Sequence, residues 1–74
     1  MDSKEWNIKA KNMIKAELSK RGIDYIELAE KLNEIGVEES QMNIANKINR
    51  GTFNFTFALQ IFEALDMKTL RLRD

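Results

Sequence analysis

The sequence predicts an all-α domain built as a bundle of four to five short helices, followed by a short extended C-terminal tail. Apolar residues recur at three- and four-residue spacing in several segments, which is the period of one face of an α-helix. Residues that commonly cap helices precede these segments at Asp2, Asp24 and Asn54. Gly36 and Gly51 follow two of them and can take the left-handed conformation that ends a helix.

The first helix is predicted over residues 3–20. Asp2 and Glu5 have the spacing of a capping box, in which each side chain accepts a hydrogen bond from the other residue's backbone N–H. Trp6 lies on the apolar stripe, and we expect it to anchor a core or dimer contact rather than a ligand. Five basic residues lie mostly off that stripe: Lys9, Lys11, Lys15, Lys20 and Arg21. A solvated surface is the favoured interpretation of these cations, and phosphate contact is the alternative.

The second helix is predicted to begin after Asp24, which forms a capping-box-like pair with Glu27. Its apolar face consists of Leu28, Ala29, Leu32 and Ile35. Gly36 ends this helix, and Val37 returns the chain to the core. We therefore expect two helices to meet at a glycine turn.

The third helix is predicted to begin within residues 38–40 and to run to Asn49, over about residues 39–49. One side of its wheel gathers Gln41, Ile44, Ala45 and Ile48, and the other gathers Asn43, Asn46, Lys47 and Arg50. Asparagine is a poor helix former, so three of them at Asn43, Asn46 and Asn49 need a reason. Amide side chains pair bidentately with adenine in the major groove, which favours DNA readout. The alternative is that Asn43 and Asn46 satisfy backbone groups across a tight interface.

Two short helices around a glycine turn are the helix-turn-helix signature. Three segments carry a family resemblance: Leu28-Ala29-Glu30-Lys31-Leu32, Ile48-Asn49-Arg50-Gly51, and a later helix closing on Ala64-Leu65. Over roughly residues 18–65 the chain resembles the phage-repressor/Cro-like (XRE-type) helix-turn-helix family. Between Leu32 and the Arg50-Gly51 ending, however, it is several residues longer than the family pattern. This extra length predicts about one more turn of helix, or 3.6 residues, and a wider connection.

The resemblance implies a repressor-like protein that binds double-stranded DNA and regulates transcription. Resemblance and wheel position together assign roles to two groups. Gln41, Asn43, Asn46 and Lys47 are directed toward bases, and Tyr25, Arg50 and Thr52 toward phosphate. Tyr25 stands where family members often have a glutamine, and packing on the first helix is an equally supported role for it. Glu38 and Glu39 count against readout, although they could cap the third helix or accept a hydrogen bond from cytosine.

The fourth helix is predicted over about residues 55–65, with Asn54 as its N-cap and Phe53 stapled onto Ala58. Three phenylalanines near one helix start exceed what one face can bury, so Phe55 is expected to be exposed. The domain is assigned to residues 1–67 and the tail to residues 68–74. Leucine alternates with arginine in the tail, which predicts a frayed end, a turn of helix or half of an intermolecular strand pair. A homodimer is predicted through Phe55, Leu70 and Leu72.

The formal net charge is zero, from 12 basic and 12 acidic residues, which taken alone counts against nucleic acid as a partner. The charges are unevenly distributed, however. Residues 1–21 carry six basic against three acidic residues, residues 22–42 one against six, and residues 43–74 five against three. A local positive face is therefore compatible with the sequence. The competing interpretation is a protein-interaction or dimerisation module that kept the helical scaffold without binding DNA.

Cysteine and histidine are both absent, which excludes disulfides and removes the usual zinc ligands and general bases. The sequence shows no phosphate-cradling glycine loop and no metal-ligand spacing. We therefore expect that the protein is not an enzyme and that it binds no cofactor and no small-molecule substrate. Neither a membrane-spanning apolar run nor a signal-peptide pattern is present, which predicts a cytoplasmic protein that does not enter a membrane.

Overall fold

Four α-helices make up the computed structural model, which describes residues 2–69. They span Ser3–Arg21 (α1), Tyr25–Glu34 (α2), Gln41–Arg50 (α3) and Phe55–Ala64 (α4). No strand occurs within residues 2–69, so the predicted all-α class is confirmed for them. Residues 70–74 of the predicted extended tail, with Leu70 and Leu72, fall outside the described residues. Within those residues, no helix combines the length and the apolar character needed to cross a membrane.

An N-cap side chain begins each helix. The predicted capping box of α1 is present, with the Glu5 N–H donating to Asp2 at 2.9 Å and the Asp2 N–H donating to Glu5 at 3.3 Å. The Asp24 and Asn54 side chains each accept a hydrogen bond from the backbone N–H three residues later, at 2.8 Å in both cases. Ser40 caps α3 by accepting from the Asn43 N–H at 3.1 Å. The third helix therefore begins at residue 41, after the predicted window of residues 38–40, and ends one residue later than predicted.

The ends of α2 and α4 have the same hydrogen-bonded geometry. At the end of α2, Gly36 has φ +88° and the Val37 N–H donates to the Leu32 carbonyl at 2.9 Å. At the end of α4, the Met67 N–H donates to the Phe62 carbonyl at 2.9 Å while the intervening Asp66 has φ +55°. This is the Schellman arrangement, which satisfies carbonyls left over at a helix end. The predicted end of α2 at Gly36 is confirmed.

The hydrophobic core lies where α2 meets α3 and α4, with α1 packed against α3. Five side chains are fully buried: Leu28, Leu32, Ile44, Ile48 and Ile61. The C-terminal half of α1 adds Ile14 and Leu18, and α4 adds Phe57. Every buried side chain within residues 2–69 is apolar. Leu28, Leu32 and Ile48, which the sequence places on the apolar faces of their helices, are buried, and Phe62 is partly buried at the margin of the core.

Two apolar residues of the predicted helix faces lie outside the core. Trp6 is 54% exposed, because the side of α1 that packs on the rest of the protein carries Asn7, Ile14 and Leu18, and Trp6 lies about 100° from Asn7 on the wheel, so of its two expected roles only the dimer contact stays a prediction. Its ring contacts the Lys9 ammonium, which lies 5.4 Å from the ring centroid. Ile35 is exposed because it is the C-cap residue of α2, and its backbone has already left the helical path. The apolar stripes of α1 and α2 are therefore shorter than the sequence suggests.

Gly51 allows the N-terminal half of α1 to pass close to the end of α3. A Cβ atom built on Gly51 would lie 2.8 Å from the Asn7 carbonyl carbon and overlap the Asn7 oxygen. Gly51 also has φ +68°, a conformation that side chains with a Cβ rarely adopt. This contact lies between Arg50, the last residue of α3, and Thr52, in the segment that follows α3.

Candidate nucleic-acid interface

The solvent-facing side of α3 is polar and amide-rich. On a 3.6-residue wheel Asn46 lies opposite the buried Ile44 and Ile48, at the centre of the exposed side. We call this side the outer face of α3, and its exposed members are Met42, Asn43, Asn46, Asn49 and Arg50. Within residues 2–69, no hydrogen bond uses the side-chain amides of its asparagines. These amides therefore keep their donors and acceptors available to a partner.

Two members of the outer face, Met42 and Asn49, received no role from sequence. Met42 is 73% exposed, the highest value among the large apolar residues that face solvent within residues 2–69. A signal existed in the sequence, since a 3.6-residue wheel places Met42 about 40° from Asn46, on the polar side of the helix. Asn49 was noted for its helix propensity alone. An exposed apolar group beside amides suits base edges in the major groove, where thymine presents a methyl group.

Lys47 lies at the flank of the outer face and is held by two neighbours. Its Nζ donates to Glu39 Oε1 at 2.5 Å and lies 4.8 Å from the centroid of the Phe57 ring. The expectation that Glu39 caps α3 is wrong, because Ser40 occupies the cap and the Glu39 carboxylate pairs with Lys47. A base contact by Lys47 would compete with this ion pair.

Arg50 and Thr52, both predicted to contact phosphate, line one cleft between the end of α3 and the start of α4. The other residues lining this cleft are Lys47, Phe53 and Asn54. Arg50 takes part in none of the ion pairs formed within residues 2–69. The cleft also opens near the first turn of α4, where backbone N–H groups carry partial positive charge. We name this site the α3–α4 cleft, and its chemistry suits an anion.

Tyr25 and Gln41, the other two predicted site residues, do not line the α3–α4 cleft. Tyr25 begins α2 and lines a separate, mainly apolar groove with Lys15, Leu18 and other residues at the end of α1. Burial raises the pKa of the Tyr25 hydroxyl above its ordinary value of 10.0, so the hydroxyl remains a donor at neutral pH. Its partial burial agrees with the packing alternative. Gln41 is exposed at the first position of α3.

The chain belongs to the family described as a domain of unknown function, DUF6471, which matches residues 6–70. The match covers α2, α3 and α4 and all but the first three residues of α1. No curated protein and no solved structure matches the chain. The geometry of α3 and of the α3–α4 cleft therefore carries the functional assignment.

Proposed function

We propose that this protein binds duplex DNA in the major groove through the outer face of α3 and regulates transcription. The observation that carries the proposal is the central, exposed position of Asn46, flanked by Asn43 and Asn49, with no internal hydrogen bond to these amides within residues 2–69. Asparagine weakens a helix relative to alanine, glutamate or lysine, so a structural role alone does not account for three of them. An adenine edge offers the donor and acceptor pair that an amide matches.

The dimensions and charges of α3 agree with this role. Its 10 residues span about 15 Å, and the major groove is about 12 Å wide, so the outer face can reach several successive base pairs. Arg50 at the end of the helix can reach guanine or phosphate, while the Thr52 hydroxyl can donate to a phosphate oxygen. Arg50 supplies positive charge at this site, although the formal net charge of the protein is zero.

In this proposal α2 and α3 form a repressor-like helix-turn-helix unit, with α3 as the recognition helix. Residues 35–40 connect the two helices, a longer turn than the usual three or four residues of this motif. The fully buried Leu28 and Leu32 of α2 and Ile44 and Ile48 of α3 hold the two helices together. Packing therefore fixes the orientation of α3 despite the long connection.

Asn46→Ala is expected to weaken binding to a preferred duplex by about 1–3 kcal/mol, the usual value of a bidentate base contact. The preferred duplex would be selected from a random pool, and affinity would then be titrated by fluorescence anisotropy at several salt concentrations. Asn12→Ala is the matched control, because Asn12 is also an exposed helical asparagine but lies on α1. A wild-type protein with no salt-dependent affinity for duplex DNA, even at low ionic strength, would refute the proposal.

An exposed apolar face on α4 favours a second function, self-association. Phe55 is 69% exposed, and Leu59 lies one turn further along the same side of α4. A groove beside it is lined by Leu59, Phe62 and Met67, together with Glu63, Lys68 and Thr69. We infer that a second copy occupies this face. A two-fold axis near Leu59 would place Phe55 of each copy in the groove of the other.

Self-association is compatible with DNA binding, because two-fold operators match two-fold proteins. It also supports the alternative of a protein-interaction module without DNA binding. Leu70 and Leu72, which the sequence assigned to the same interface, lie outside the described residues, and their contribution stays a prediction.

Phe55→Ser is expected to shift the species from dimer toward monomer without loss of helicity, because an exposed aromatic contributes to association and little to the core. Sedimentation velocity over a wide concentration range gives the measurement. Ile26→Ser serves as the control, since Ile26 is also a large exposed residue but lies on α2. A wild-type monomer at every concentration would rule out this interface.

A further inference from the structure

We propose that Glu39 competes with DNA phosphate for Lys47 and thereby lowers the electrostatic contribution to the affinity for DNA. This inference rests on the proposed function and deepens it. Lys47 is the one cation lining the α3–α4 cleft that forms an ion pair within residues 2–69. Its partner Glu39 lies eight residues earlier, in the connection between α2 and α3.

The Lys47 ammonium is held on two sides. Glu39 Oε1 accepts its hydrogen bond at 2.5 Å, and the Phe57 ring centroid lies 4.8 Å away. The ring belongs to a buried residue and is itself packed edge-on against Phe53, with 5.9 Å between the centroids. A cation above an aromatic face is attracted by the ring quadrupole. Both neighbours therefore stabilise the same position of the ammonium.

The Glu39 carboxylate of the Glu39–Lys47 pair is partly shielded from solvent, whereas the Lys47 side chain is more exposed. The Glu39 side chain is 17% exposed and the Lys47 side chain 43% exposed. Salt screens partly buried charges less than exposed ones, so the pair persists at ionic strengths that weaken surface contacts. A DNA phosphate that approaches the α3–α4 cleft meets Arg50, which forms no ion pair within residues 2–69, together with a lysine that already pairs with Glu39.

This arrangement has a consequence for selectivity. Non-specific DNA binding depends on the number of phosphates that a protein neutralises, whereas base readout depends on contacts in the groove. By keeping Lys47 from phosphate, Glu39 removes one non-specific contact and leaves the amides of the outer face untouched. A larger share of the binding free energy then comes from base contacts.

Glu39→Gln tests this competition, with Glu38→Gln as the matched control. Both variants raise the net charge by one, but Glu38 is exposed and forms no ion pair within residues 2–69. Affinity for a random-sequence duplex would be measured by anisotropy against salt. Glu39→Gln is expected to steepen the slope of log K against log salt by about 0.9 more than Glu38→Gln does. Its gain in affinity should then be roughly threefold larger at about 50 mM than at about 200 mM salt.

Lys47→Ala provides a second measurement that leaves Glu39 in place. With Lys47 withheld from phosphate, this variant should keep the wild-type salt slope, whereas a lysine free to contact phosphate would lower it by about one on removal. In the Glu39→Gln background, Lys47→Ala should abolish the gain.

The outcomes separate the two proposals. Salt-dependent binding by the wild type with equal shifts in Glu39→Gln and Glu38→Gln, or with a lower slope in Lys47→Ala, overturns the competition alone. Loss of all salt-dependent binding, in the wild type and in every variant, overturns the proposed function and the competition together.

Discussion

Leu32→Ala is expected to lower the free energy of unfolding by about 2–5 kcal/mol. Leu32 is fully buried where α2 meets α3 and α4, in contact with the cluster that includes Leu28 and Ile61. Removing its branched end deletes apolar contacts and leaves a cavity, since neighbouring side chains of a small core collapse only partly into the space. Small domains have total stabilities near the low end of about 5–15 kcal/mol, so this substitution could unfold the protein.

Urea and thermal denaturation followed by circular dichroism would measure the effect on unfolding. Ile26→Ala is the control, because it also removes three carbon atoms, but from a side chain of α2 that is 53% exposed and lies outside the proposed interface. The control should change the free energy of unfolding by no more than about 0.5–1 kcal/mol. If Leu32→Ala melted within about one or two degrees of the wild type, its central place in the core would be wrong.

The start of a helix depends on residues that are close in the sequence, so the sequence predicted most of the helix starts. Asp2, Asp24 and Asn54 each bond a backbone N–H only three residues away. The start of α3 was less certain, because Glu38, Glu39 and Ser40 can each precede a helix. Ser40 is the N-cap in the structure, where its side chain accepts a hydrogen bond from the Asn43 N–H.

The exposure of Trp6 depends on contacts between distant segments of the chain. The wheel of α1 places Trp6 on the same stripe as Ile14, yet only Ile14 is buried. The side of α1 that packs on the rest of the protein carries Asn7, Ile14 and Leu18, and only contacts with distant segments determine which side this is. Ile35 was misplaced for a different reason: the wheel was continued one residue beyond the end of α2.

The candidate site shows the same division between local and long-range information. The exposed asparagines of α3 follow from helical spacing within a 10-residue segment. The pairing of Lys47 with Glu39 joins the connection to α3, and the Phe57 ring comes from another helix. Neither contact has a sequence spacing that predicts it. Arg50 and Thr52 were predicted together, and the structure places them at one cleft because Gly51 turns the chain between them.

Gly51→Ala is expected to lower the free energy of unfolding by about 2–5 kcal/mol, through two separate effects. Gly51 has φ +68°, and a residue with a Cβ in this left-handed region costs about 1–2 kcal/mol. The added Cβ would also overlap the Asn7 backbone, which cannot rotate away as a flexible side chain can. Helix α1 must then shift, at a cost of about 1–3 kcal/mol for an overpacked contact.

Gly22→Ala separates the two effects. Gly22 ends α1 with φ +66°, so the backbone strain is matched, but a Cβ built there meets no atom within 4 Å. Denaturant titration should therefore show a loss of only about 1–2 kcal/mol for Gly22→Ala. The difference between the two variants measures the contact of α1 with the end of α3.

Because Gly51 lies between Arg50 and Thr52, this contact also holds the α3–α4 cleft in place. Amide chemical shifts around the cleft should therefore change in Gly51→Ala and stay unchanged in Gly22→Ala. Equal losses of stability in the two variants would show that α1 yields freely at Asn7 and does not position the cleft.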